Sequence, residues 1–517
     1  MNSGLICISV CAATADELVD QVRRAEPLAD LIEVRFDCLR ADHVTNAVEA
    51  LREAKFTTPL IATYRSPEQG GKRPLTREAR LKFWSLVGDT FAFVDIESDI
   101  VDEITASSPA IASQHDFTGM PANIESIYED LATHGTAIIK IAGTAHDICD
   151  AIPIWKLLER AGTSNRQLIP IAMGDNGKWT RILGLAHGAF LTYASLDAGK
   201  ETAGGQITAD DLVNVYRVKD LDRDTRVYGV IGDPVSSSLS PFMHNAAFGN
   251  AELNAVFLPL PVKDLDAFMR RMVLPATREV ELNFAGFSVT MPHKQAIMKY
   301  LTDIDPVAQA IGAVNTVKIE GDKLTGYNTD APGFIAPLKQ RIPDLKDARV
   351  GVLGAGGAAR AVVYAFKQER ADITLFARDP KRAQPFADEF TINIAELNSP
   401  PYEGGVADAA SAADGVVLSS ATTGFDLIVN TTPLGMRGPH ENDTPLTSDQ
   451  LSGVKFVYDL VTRRDETPLL REAKKAGVEA IGGVEMLIAQ GLKQFEIWTG
   501  LDAPASLMRQ AVLDRLA

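Results

Sequence analysis

The sequence predicts an α/β protein: an N-terminal (β/α)8 barrel, then two further α/β domains, one of them built to hold a dinucleotide. Three observations carry this reading. Over the first 220 residues, eight short apolar runs alternate with helix-like stretches. A short charged stretch then breaks the pattern. Beyond it a second alternation contains a strand, a glycine cluster and a helix in immediate succession. A chain of 517 residues is also too long for one hydrophobic core.

The eight runs are LICISV from Leu5, DLIEVR from Asp30, PLIATY from Pro59, FAFVDI from Phe91, AIASQH from Ala110, TAIIKI from Thr136, LIPIAM from Leu168 and FLTYAS from Phe190. Continuous apolar runs between helices fit parallel strands buried on both faces. Eight such units in roughly 200–250 residues is the size of a (β/α)8 barrel. The charged stretch Val218-Lys219-Asp220-Leu221-Asp222-Arg223-Asp224 marks the boundary, giving a first domain over 1–220. Alternation resumes at VYGVIG from Val227 and includes a hairpin turning at Glu320-Gly321-Asp322-Lys323. ARVGVLGAGGAAR from Ala348 opens the dinucleotide-binding pattern, and helices after Glu485 return to an earlier domain. The expected domains are therefore 226–332 with 485–517, and 333–484.

The composition is that of a globular protein, 46% hydrophobic and 23% charged. A net charge of −17 argues against nucleic acid or an anionic membrane as partner. The partners expected are small molecules. Cys7, Cys11, Cys38 and Cys149 form no CxxC pair, so separate thiols in a reducing cytoplasm are expected. Neither a signal nor a membrane-spanning segment is read from the chain. The eight histidines form no HxxxH or similar cluster, so no metal is expected.

In a barrel the chemistry gathers at the C-terminal ends of the strands. Glu33 and Arg35 end the second run, Arg65 follows the third, His115 ends the fifth and Lys140 lies in the sixth. A lysine flanked by Ile138, Ile139 and Ile141 is either an amine prepared to attack a ketone or one half of an ion pair with Glu33 or Asp95. His115 is a candidate general acid and base. Arg35, Arg65 and Arg181 suit a substrate carrying a carboxylate and hydroxyls.

IEVRFD, TYRSPEQGG, SQHDF, IIKIA and TAGGQIT, in that order, resemble type I 3-dehydroquinate dehydratase. The resemblance covers residues 1 to about 218. It implies that Lys140 forms a Schiff base and that His115 shuttles the proton. Arg181, Thr202 and Gln206 would surround the substrate carboxylate, and Glu33, Arg35 and Arg65 the ring hydroxyls, with Ser9 also lining the site. The family usually has a glutamate where Gln69 stands, a proline in place of Gly204 and a serine in place of Thr202.

In the second half, Gly354-Ala355-Gly356-Gly357-Ala358-Ala359 joins a strand to an apolar-periodic helix, as a pyrophosphate-binding turn does. The following strand ends in Arg378, with Lys381 and Arg382 nearby, which favours the 2′-phosphate of NADP. Asp379 leaves a ribose hydroxyl, hence NAD, as the alternative. Ser238, Ser240, Thr290, Lys294, Asn315 and Asp330 form a polar set suited to a polyhydroxylated acid, although each is also a good turn or capping residue.

GDPVSSSLSPFMHN, FSVTMPHK, IGAVNTV, GYNTDAPG, GAGGAAR, NTTPLGM and GGVEMLIAQ resemble shikimate dehydrogenase. The resemblance runs from about residue 227 to the C-terminus. It implies a catalytic pair, Lys294 and Asp330, and substrate contacts from Ser238, Ser240, Thr290, Asn315 and Gln490. Asn430, Thr431, Leu460 and Gly483 would lie near the nicotinamide. Thr462 stands where that family usually has a substrate-binding tyrosine. Together the two resemblances imply consecutive steps, dehydration of 3-dehydroquinate and then NADPH-dependent reduction to shikimate. The alternatives are a catabolic quinate/shikimate dehydrogenase using NAD, and a catalytically dead regulator of the quinate-repressor type.

Overall fold

The computed structural model describes residues 2–163, 166–397 and 424–516. Part of the expected 333–484 domain, residues 398–423, lies outside the described residues, as do the ends of the chain at 1 and 517. Internal contacts divide the chain into two units, Met1–Pro241 with Glu252–Phe284, and Phe242–Ala251 with Ala285–Ala517.

In the first unit each of the eight apolar runs forms a strand: β1 (Leu5–Val10), β2 (Leu31–Arg35), β3 (Leu60–Thr63), β4 (Phe93–Glu97), β5 (Ala110–Asp116), β6 (Ile138–Thr144), β7 (Gln167–Met173) and β8 (Leu191–Ser195). Neighbours in sequence are neighbours in the sheet, and β8 pairs with β1. The Phe190 amide donates to Leu168 O at 2.9 Å, which brings the entrance of β8 to β7 and closes the barrel. Cys7, Leu31, Ile61, Ile111, Ile138, Ile169 and Leu191 fill its interior. The barrel is thus a packed core, and only its rim is free to carry chemistry.

The outer helices follow from their patterning. In Ala15–Ala25, Leu18, Val19, Val22 and Ala25 are buried, and the Thr14 side chain accepts from Glu17 N. That spacing puts one apolar stripe on the sheet, and such a cap is worth ~1 kcal/mol. The charged boundary stretch is fastened to the barrel. Asn2 Nδ2 donates to Val218 O at 2.7 Å and Leu221 O at 2.9 Å, while Lys219 pairs with Asp30 at 2.7 Å. Beyond β9 (Ile207–Thr208), β10 (Arg226–Gly232) and β11 (Ala255–Pro261) form a parallel pair.

One expectation is corrected. Cys11 and Cys38 are joined as a disulfide, while Cys7 and Cys149 are free and buried. The cysteines are 27 residues apart in sequence, but they follow the ends of adjacent strands, and their Cα atoms lie 5.5 Å apart, within bonding range. The absence of a CxxC motif concealed a proximity that only the sheet creates.

The second unit contains β12 (Phe284–Val289), β13 (Asp303–Ile304), β14 (Thr316–Glu320) and β15 (Lys323–Tyr327). β14 and β15 form the expected hairpin, with Glu320 opposite Lys323 and Gly321 at φ 61°. A second sheet has the order β18 (Asn393–Glu396), β17 (Asp372–Ala377), β16 (Arg349–Leu353), β19 (Leu427–Asn430), β20 (Phe456–Asp459), β21 (Glu479–Gly482), all parallel. The chain reverses its direction of strand addition between β16 and β19. In such sheets the ligand crevice lies at that point, beyond the C-terminal strand ends.

Two candidate active sites

The rim of the barrel holds the first site. Ser9, Glu33, Arg35, Arg65, His115, Lys140, Arg181, Thr202 and Gln206 line one cavity, with Gln69, Phe117 and Tyr193. Every barrel residue singled out from the sequence is therefore brought to one place. Lys140 is buried, and its Nζ lies 2.8 Å from Asp95, 3.4 Å from Glu33 and 3.0 Å from the Tyr193 hydroxyl. A buried ammonium without counter-charge would cost several kcal/mol, and the two carboxylates offset that cost. The ion pair and the position for chemistry are thus both present.

The other cations show a sharp asymmetry. Arg35 pairs with Asp37 at 2.8 Å, Arg65 with Asp95 at 2.8 Å, and Arg80 with Glu97 at 2.5 Å. Burial alone would raise the Asp95 carboxyl, but Arg65 and Lys140 hold it well below the usual carboxylate range. Arg181 is equally buried and has no carboxylate partner among the described residues. One of its NH2 groups donates to Gly204 O at 3.3 Å, and its Nε has no partner. Burial lowers its pKa to about 10. Among the described residues, the cavity wall therefore contains one cation without a protein anion.

His115 is oriented by Gln69. The Gln69 Oε1 accepts from the His115 backbone N–H at 3.0 Å and lies 3.1 Å from Nδ1. A backbone N–H can only donate, so the facing amide atom is the oxygen, and Nδ1 must carry the proton. That leaves Nε2 bare, as a base requires. Burial, then the charges of Arg65 and Lys140, push the histidine pKa well below 6.5. Since the neutral ring is the base, dehydration should stay fast on acidification until the pH falls well below that value. A pH profile of kcat/KM whose acidic limb is centred at or above 6.5 would contradict this assignment.

The second site begins with Lys294 and Asp330, which pair at 2.5 Å. Asp330 opens the helix Asp330–Lys339, where the helix dipole favours a carboxylate. Its other oxygen accepts from Asn315 Nδ2 at 2.8 Å, and the Asn315 amide is fixed because its oxygen accepts from Thr329 N at 2.7 Å. Thr329 Oγ1 donates to Gln490 Oε1 at 3.4 Å. Gly333 has no Cβ to strike Gln490, whose backbone N would lie 2.7 Å away. The helix carrying Gln490 can therefore pack close. Thr290 is partly exposed just ahead of Lys294. Ser238 and Ser240 belong to the first unit, after β10 and at the start of the helix Ser240–Asn250. Sequence reasoning missed Gln494, a buried side chain that donates to Ser288 Oγ at 3.1 Å and Thr316 Oγ1 at 3.0 Å.

The glycine turn meets the demands of a dinucleotide. Gly354 has φ 102°, and a Cβ on it would come within 2.9 Å of Thr431 Oγ1. A Cβ on Gly356 would meet nothing within 4 Å, so the space before the helix Gly357–Gln368 is open for a ligand. Ala359 is fully buried in that helix, with Ala355 and Ala358 in the same segment. A Cβ on Gly357 would lie 3.2 Å from Lys294 Cδ, so the lysine stem runs against the turn. Asn430 ends β19, Thr431 and Leu460 follow the ends of β19 and β20, and a Cβ on Gly483 would strike Leu460 O at 2.3 Å. Arg378 and Arg382 are exposed and have no acidic partner among the described residues. Asp379 caps the next helix by accepting from Arg382 N at 3.1 Å, which gives that carboxylate a structural role. These residues fit NADP. Among the described residues no group of three or more His, Cys, Asp or Glu could hold a metal ion. No helix among them is long and apolar enough to cross a membrane.

Comparison with known proteins agrees with this geometry. Residues 6–223 match the family model for type I 3-dehydroquinase. Residues 230–317 match the substrate-binding domain of shikimate dehydrogenase, 337–431 the shikimate/quinate 5-dehydrogenase model, and 483–513 the shikimate 5′-dehydrogenase C-terminal domain. A chloroplastic bifunctional 3-dehydroquinate dehydratase/shikimate dehydrogenase of Arabidopsis thaliana is 34% identical across 98% of this chain and 84% of its own length. A shikimate dehydrogenase (NADP+) of Methanopyrus kandleri is 40% identical over 57% of this chain and 98% of its own. A crystal structure of a shikimate dehydrogenase in complex with NADP+ superposes with a TM-score of 0.50 at 35% identity, covering 57% of this chain and 98% of that one.

Proposed function

The chain belongs to the family of bifunctional 3-dehydroquinate dehydratase/shikimate dehydrogenases, and from that premise we propose how it carries out two consecutive reactions. Its barrel, residues 1–220, dehydrates 3-dehydroquinate to 3-dehydroshikimate. The remainder reduces that ketone to shikimate with NADPH, binding substrate through 226–332 and 485–517 and the cofactor through 333–484. The residence we propose is the cytoplasm, which the free, buried thiols of Cys7 and Cys149 fit.

The observation that carries the first reaction is Arg181. A buried guanidinium without a protein anion calls for an anionic ligand, and a carboxylate answers it with a charge-assisted bidentate contact. With the substrate anchored there by Arg181, Thr202 and Gln206, Lys140 meets its ketone and forms an imine. The protonated imine withdraws electrons from the adjacent carbon, and His115 Nε2 removes the proton from it. The same proton then leaves with the hydroxyl as water, and hydrolysis of the imine frees Lys140. Glu33, Arg35, Arg65 and Ser9 face the ring hydroxyls.

In the second reaction NADPH supplies the hydride. Lys294, held by Asp330, stabilises and protonates the alkoxide that develops on the substrate. Asn315, Thr290 and Gln490 hold the substrate's hydroxyls and carboxylate. Arg378 and Arg382 receive the 2′-phosphate. Replacing both with alanine should raise the KM for NADPH by about 100-fold or more, since each charge-assisted contact contributes ~1.5–3 kcal/mol and every 1.4 kcal/mol is about tenfold, and should leave the KM for NADH unchanged. An equal change for both cofactors would reject this role.

The experiment that tests the whole reading is oxidation of NADPH by the purified chain with 3-dehydroquinate as sole substrate. Consumption requires both halves in sequence. Failure with 3-dehydroquinate and success with 3-dehydroshikimate would locate the fault in the barrel. Silence with both would overturn the reading.

A further inference from the structure

The end of β20 holds a buried carboxylate that meets no cation. Asp459 is fully buried, and no lysine, arginine or histidine among the described residues pairs with it. Its Oδ1 accepts from Asn430 Nδ2 at 2.9 Å and from Val461 N at 3.1 Å, and its Oδ2 from Thr467 Oγ1 at 2.5 Å. Burial raises its pKa to about 6 in spite of these bonds. A buried carboxylate without a counter-charge is costly to fold around, so the contacts it makes need an account.

Those contacts join the segments at the nicotinamide end of the proposed cofactor site. The Asn430 oxygen accepts from Thr432 N at 2.9 Å and Thr432 Oγ1 at 2.6 Å, which turns its NH2 group to Asp459. Thr467 also accepts from Leu470 N at 3.2 Å, capping the helix Pro468–Lys475. Four residues beyond Asp459, the partly buried Arg463 donates to Gly435 O at 3.0 Å and Glu441 O at 2.8 Å. The segment 459–463 is therefore tied at one end to the last residue of β19 and at the other to the loop that follows it. Leu460, whose N–H donates to Asn430 O at 3.1 Å, and Thr462 lie between the two ties.

We propose that Asp459 is a positioning residue of the hydride-transfer site, fixing the ends of β19 and β20 so that Asn430 and Leu460 seat the nicotinamide half of NADPH. It acts through its neighbours and touches no ligand. The proposal rests on the cofactor reading given above.

The test compares two ligands on the full chain. NADPH uses the whole crevice, whereas adenosine 2′,5′-bisphosphate uses only the adenine and 2′-phosphate end. Asp459→Ala should weaken NADPH by about 10-fold or more, the loss expected for hydrogen bonds to a charged group, and should lower kcat with 3-dehydroshikimate. Affinity for adenosine 2′,5′-bisphosphate should not change. Asp459→Asn keeps an oxygen for Asn430 and Val461 and an NH2 for Thr467, and should recover most of the NADPH affinity. If the alanine variant does not fold, Thr467→Val, which removes one bond, should shift NADPH in the same direction by less. Equal weakening of both ligands would reduce Asp459 to a support of the sheet and overturn the proposal, as would unchanged NADPH affinity in the alanine variant. A wild-type chain that binds neither ligand would sink the cofactor reading itself.

Discussion

Lys140→Met should abolish dehydration of 3-dehydroquinate by several orders of magnitude while reduction of 3-dehydroshikimate continues at its normal rate. Methionine matches the length of the lysine stem and carries no amine, so no imine forms. The decisive readout is covalent. Borohydride added during turnover should reduce the imine, inactivate the wild-type barrel and add mass to the peptide containing Lys140. The variant should gain no mass. Loss of the ammonium also leaves Asp95 and Glu33 with fewer counter-charges, and breaking a buried pair costs ~3–5 kcal/mol. The melting temperature must therefore be measured beside the rate. Lys140→Arg separates the two effects, because a guanidinium keeps the charge but never sheds its proton. It should remain folded and inactive. Dehydration or trapping by either variant would remove Lys140 from the mechanism.

Lys294→Met should lower kcat for 3-dehydroshikimate reduction by about 10²–10⁴-fold, the range for a lost general acid, with a much smaller change in the KM for NADPH. The 2.5 Å contact with Asp330 holds the ammonium in place, and Asp330→Asn should lose part of the same factor because an amide cannot balance that charge. Fed with 3-dehydroquinate, the Lys294 variant should accumulate 3-dehydroshikimate, since its barrel is untouched. An unaltered kcat would mean that the alkoxide takes its proton from elsewhere.

Much of this was legible in the sequence, because its apolar runs were unbroken. All eight barrel strands fall on runs identified from periodicity, and the rim residues follow from where those runs end. Legibility failed wherever two strands had to meet. Glu33 and Asp95 were legible as alternative partners of Lys140, but that both meet it at once depends on three strands of one curved sheet. The pairing of Arg65 with Asp95 likewise joins two strands, whereas Arg35 and Asp37 are two residues apart and pair locally. Tyr193 read as one more apolar strand residue until its hydroxyl was placed beside Lys140. The Cys11–Cys38 bond, the bridging amide of Gln494 and the tie at Asp459 are contacts between distant segments, and local spacing carries no trace of them. Asp379 was ambiguous in sequence because an aspartate that caps a helix looks the same as one that receives a ribose.

The hydrogen-only face of Gly357 has a bearing on redesign. The turn proposed to cradle the pyrophosphate and the lysine proposed to deliver the proton share a wall, with only 3.2 Å between a would-be Cβ and the lysine stem. On that proposal, coenzyme choice and proton delivery are not separable modules. An engineer who retunes the turn for another dinucleotide by adding bulk at that glycine would alter turnover along with selectivity, and would have to look to the β17 end, at Arg378, for a change that leaves the lysine where it is.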